Sequence, residues 1–123
     1  MIAAVCLLLG AGLLLGACGG DGEDGGEGGY RPPSPAEKKQ AIRTAKNLYG
    51  FARAYSTLDL SRGPCLGVGE KLPQLGPDWV VDIAHDPRRP IDEKPRNQCP
   101  KSRTGQAEHF VELDPSGKVI RVR

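Results

Sequence analysis

Aromatic residues are scarce in this chain, with one Trp, three Tyr and two Phe among 123 residues. Histidine is rarer, with two. A chain of this length forms one domain, too short for a cofactor fold built from several βαβ units. No G-x-x-x-x-G-K-[ST] phosphate loop and no G-x-S-x-G nucleophile turn is present. No two cysteines stand in a C-x-x-C spacing, which removes the usual signature of redox pairs and many metal sites. The formal charge is only +2, too small to argue for nucleic acid. No apolar run reaches the ~20 residues of a membrane span.

Gly (17) and Pro (11) are abundant instead, and their distribution divides the chain into three segments. Residues 1–18 carry no charged side chain, and residues 19–29 are seven Gly and four acids. All 17 Lys and Arg and 11 of the 15 acids follow from residue 30 onward, a net of +6 against −4 for the Gly-rich segment. A surplus of that size suits a solvated surface. It also suits attraction to anionic lipid headgroups or an acidic envelope polymer.

The stretch from Val5 to Leu15 is apolar and Leu-rich, and small residues follow it. That is the pattern of a secretory signal peptide, with the apolar region ahead of a cleavage site. It ends in Leu15-Gly16-Ala17-Cys18. The tetrapeptide resembles the lipobox of bacterial lipoproteins, an aliphatic residue and two small ones before Cys. The resemblance implies cleavage after Ala17, a diacylglycerol thioether on Cys18 and fatty acyl chains such as palmitate. Met1-Ile2-Ala3 lacks the usual basic residue; either the α-amino group supplies the positive end or the start lies upstream. Two acyl chains suffice for stable anchoring. The expected layout is therefore a cleaved signal over 1–17, a flexible tether over 18–33 and an extracytoplasmic domain over 34–123. The eleven Gly, Asp and Glu residues of the tether span roughly 15–20 Å.

Four cysteines are present. Cys6 leaves with the signal and Cys18 takes the lipid. Cys65 and Cys99 remain, and outside the cytoplasm a disulfide between them is the economical reading. The open alternatives are a metal site or a redox pair.

Ser34-Pro35-Ala36-Glu37 predicts a helix start, with a capping box and Pro at the first helical position. Ala41, Ala45, Leu48, Ala52 and Tyr55 make one stripe, and the helix is expected to end between Thr57 and Arg62. Gly50 inside it suggests close approach to a sheet, and Tyr49, Phe51 and Tyr55 read as core. Trp79–His85 reads as a strand with Trp79, Val81, Ile83 and His85 on one face. Residues 86–105 form a long polar loop, and a loop of that length needs an explanation. Glu108–Asp114, a Pro115-Ser116-Gly117 turn and Lys118–Arg123 form a hairpin. That hairpin looks like those of many secreted α+β modules, PepSY-like ones among them. The expected class is α+β, one N-terminal amphipathic helix packed on a small antiparallel sheet of three or four strands, with one disulfide.

The loop carries Arg88, Arg89 and Arg96. With Trp79 and His85 they make a candidate contact patch for a protein or an anionic envelope polymer. A metal site using Asp82, His85 and His109 is the alternative, and it needs a bulge, because a spacing of three places strand residues on opposite faces. A passive envelope lipoprotein is the third reading. No cofactor or catalytic residues are expected, and the chain reads as a non-enzyme held at the outer face of a cell membrane.

Overall fold

The computed structural model describes residues 29–69, 72 and 74–123. The 1–17 segment, Cys18 and the Gly-rich stretch up to residue 28 lie outside the described residues.

Helix α1 spans Pro35–Tyr55. Its start is fixed locally. The Glu37 backbone N donates to Ser34 Oγ at 3.2 Å, and the Ser34 backbone N donates to Glu37 Oε2 at 2.7 Å. Arg31 then pairs with the same carboxylate at 2.8 Å. The helix ends earlier than its stripe predicts. Ser56 adopts extended backbone, and its N and Oγ both donate to Ala52 O, so the cap competes successfully with further turns.

Strands β1 (Cys65–Val68), β2 (Trp79–Ile83), β3 (His109–Leu113) and β4 (Val119–Val122) form one sheet in that spatial order. The outer pairs run antiparallel, while β2 and β3 run parallel. The helix-on-sheet layering and the disulfide stand as expected; the sheet is mixed rather than wholly antiparallel. The reason is the connection. Parallel neighbours need a crossover of a dozen residues or more, and residues 84–108 supply it. The long polar loop is therefore the crossover, with a short helix α2 (Pro100–Arg103) inside it. β1 is an addition to the expected strands; its four residues contain Gly67 and give little alternation to read.

One face of the sheet meets α1. Trp79, Val81, Ile83, Val111 and Leu113 pack with Ala41 and Ala45 there, all buried. Tyr49 clamps the helix to the hairpin, its hydroxyl donating to Pro115 O at 3.0 Å. The hairpin turn is held by Asp114, whose Oδ1 accepts from Ser116 N, Ser116 Oγ and Lys118 N. Gly117 sits at φ +88°, and a Cβ there would lie 2.5 Å from the Tyr49 ring. Only glycine meets both demands.

The crossover covers the other face. The Cys65–Cys99 disulfide ties β1 to it across 34 residues of sequence. Closing a loop of that length contributes about 3.5–4 kcal/mol in the chain-entropy account. Val80, on this second face, is fully buried.

Candidate functional site

The alternation of β2 and β3 sends Trp79, Val81, His109 and Val111 toward α1. It sends Val80, Asp82, Phe110 and Glu112 the other way. The parallel register places Val80 beside Phe110 and Asp82 beside Glu112. These four side chains floor a cavity of about 340 Å³ under the crossover. Gln98, Cys99 and Ser102 form one wall, and Arg88, Arg103, Arg121 and Arg123 surround the mouth.

Its electrostatics follow from two carboxyls in one polar floor. Glu112 is 7% exposed. Arg88 Nη1 donates to its Oε1 at 2.6 Å, and Arg121 Nη2 and Nε donate to its Oε2 at 2.7 and 3.1 Å. Asp82 has no such clamp. Burial, and then the neighbouring Glu112 charge, push its carboxyl up to about 8. It therefore holds its proton at neutral pH and can donate a hydrogen bond. Cys99 Sγ lies 3.9 Å from Asp82 Oδ1, so the disulfide borders this carboxyl. Arg103 is exposed and has no ion-pair partner among the described residues. A site with one protonated acid, one neutralised acid and several guanidinium groups suits an anionic guest, since Arg matches carboxylate and phosphate in bidentate fashion.

The residues singled out in the sequence do not share one surface. Trp79 is 4% exposed, with its ring 4.9 Å from that of His109, and is a core residue. His85 lies beyond the end of β2 rather than on its face, and its Nδ1 sits 2.9 Å from Asp92 Oδ1. Arg88 enters the cavity. Its bond to the buried Glu112 makes Arg88→Glu a change with a structural cost. Arg89 and Arg96 are exposed on the crossover. Phe51 and Tyr55 are 63% and 79% exposed and do not join the core. Gly50 has open space around it rather than a sheet contact.

Asp82, His85 and His109 are not brought together either. Asp82 faces the cavity, His85 pairs with Asp92, and His109 is buried on the α1 side with Nε2 3.2 Å from Asp78 Oδ2. Among the described residues, two other groups converge within 4.8 Å: Asp78 with Glu108 and His109, and Asp82 with Cys65 and Cys99. The sulfurs of the second are joined in a disulfide, so neither is the thiolate a metal takes.

Sequence reasoning missed Asp92, which reads as one more charge in a polar loop. It is 2% exposed. Its Oδ2 accepts from His85 N at 3.1 Å and Arg89 N at 2.8 Å. Desolvation works against its charge, but these hydrogen bonds outweigh it and hold the carboxyl below its ordinary value. A carboxylate reaching back three residues to a backbone N–H is the geometry of a capping box's second bond, and the sequence around Asp92 offers no Ser or Thr three residues earlier to flag it.

Compared with protein-family models, with curated proteins and with solved structures, the chain has no match.

Proposed function

We propose that this chain is an extracytoplasmic lipoprotein, tied to a cell membrane by acyl chains on Cys18, whose α+β domain is a binding module rather than an enzyme. The domain takes an anionic group of a protein or envelope polymer into the cavity on the crossover side of the sheet. One observation carries the reading: Leu15-Gly16-Ala17-Cys18 closes an uncharged apolar N-terminus and precedes a Gly-rich acidic spacer. The Cys65–Cys99 disulfide supports it, since such bonds persist in oxidising compartments. The arginines at the cavity mouth support the choice of an anion.

The anchor is tested by intact mass of the full chain made in a lipoprotein-processing bacterium. Loss of residues 1–17 and gain of a diacylglyceryl group at Cys18 are expected, and Cys18→Ser should carry no lipid. A chain recovered with an unmodified N-terminus ends the anchor reading. The cavity is tested with polyphosphate as an anionic polymer probe. Arg103→Glu reverses a mouth charge that has no ion-pair partner among the described residues, so it should weaken binding about tenfold while unfolding stays within ~0.5 kcal/mol of the parent. Equal binding by the two chains rules the cavity out.

A further inference from the structure

The outer side of α1 is strongly one-signed. Lys38, Lys39, Arg43, Lys46 and Arg53 are all exposed. No acidic residue occurs between Glu37 and Asp59. At the C-terminal end of the same helix, Phe51 is 63% exposed, Tyr55 79% and, just beyond, Leu58 48%. The Phe51 and Tyr55 rings lie 5.3 Å apart, forming one apolar patch. Asn47, Gly50 and Ala54 beside them are exposed and uncharged. Asp59 is the nearest acid along the chain, and Ser61 N and Oγ both donate to its Oδ1.

We propose that this end of α1 seats on an anionic lipid surface. Phe51, Tyr55 and Leu58 enter the headgroup layer, and Arg43 and Lys39, the cations of α1 nearest Phe51 around the helix, meet the lipid phosphates. The proposal rests on Cys18 being the lipid anchor. Exposed aromatics beside a basic helix face are what an interfacial helix needs, and each basic residue near an anionic leaflet adds to binding. Geometry agrees. The 21 residues of α1 rise about 31 Å. An anchor leading into one end of the helix and an aromatic patch at its other end touch one bilayer when α1 lies along it. The cavity, on the opposite side of the sheet, then faces away from the membrane. An anionic polymer would need the cations but not the aromatics, and that difference makes lipid testable.

The experiment uses the mature chain from residue 18 with Cys18→Ser, so that no acyl group contributes. It is sedimented with vesicles of phosphatidylglycerol and phosphatidylcholine, and with phosphatidylcholine alone. Binding is expected to the anionic vesicles only, weakening at ~0.5 M salt. Phe51→Ser with Tyr55→Ser should lower it at least about tenfold, and Lys39→Glu with Arg43→Glu should do the same by a separate route. No binding to anionic vesicles by the parent chain overturns the proposal. So does unchanged binding of the Phe51/Tyr55 variant, which would leave an anionic polymer as the partner. Because this chain lacks the acyl group, its result is independent of the mass measurement on Cys18, and the two readings fail separately.

Discussion

At position 82 the chain places a carboxyl where water is scarce and a second acid is adjacent. The folded state keeps a proton there that the unfolded chain gives up near its ordinary value, because burial and then Glu112 push Asp82 to about 8. A folded pKa raised above the unfolded one makes stability fall as pH rises, from about pH 4 to about 8, and level off above that. Asp82→Asn removes this dependence. At pH 8 the variant should exceed the parent by on the order of 2–4 kcal/mol, and at pH 4 the two should be nearly equal. Urea unfolding at both pH values reads the difference. A constant gap between parent and variant would mean that Asp82 is already ionised in the native domain.

Among the elements, the crossover has the least regular structure and depends most on one side chain. Asp92 organises its first half, holding the His85 and Arg89 backbone N–H groups and the His85 ring. Truncating it strands two part-buried backbone donors, at up to about 1–3 kcal/mol apiece. Asp92→Ala should therefore lower the urea midpoint by the equivalent of about 2–4 kcal/mol, whereas Asp86→Ala, an exposed acid in the same segment, should cost less than ~0.5 kcal/mol. Equal losses for both would show that the crossover is not built around Asp92. The second half of the crossover is held differently, by Cys99 in the disulfide and by Lys101 Nζ donating to Pro77 O at 2.8 Å. Arg88 from the first half and Gln98, Cys99 and Ser102 from the second line the cavity, so loosening either half alters the cavity as well as the fold.

For the molecule as a whole, the two faces of the sheet are finished in different ways. α1 closes one with small side chains, Ala41 and Ala45 among them, which let the helix approach closely. A crossover with little regular structure closes the other and leaves a polar pocket. A mixed sheet with one parallel pair follows from that arrangement, since the chain has to return over the sheet before β3 can begin. The parallel pairing also sets Asp82 beside Glu112 and lets Arg88, 24 residues earlier than Glu112, reach it. Function on this account has a direction: α1 toward lipid, cavity toward the envelope.

What the sequence settled by itself is local. The start of α1 could be read from Ser34, Pro35 and Glu37, and the β3–β4 turn from Asp114 and Gly117, because a cap or turn satisfies its own backbone within four or five residues. The pairing of Cys65 with Cys99 was the economical expectation for two leftover cysteines, and the structure shows it. The direction of β2 against β3, the burial of Trp79, the exposure of Phe51 and Tyr55, and the meeting of Asp82 with Glu112 were decided only in the tertiary structure. Each depends on where a distant segment lies, and strand pairing and helix docking are collective choices that no short window of residues contains.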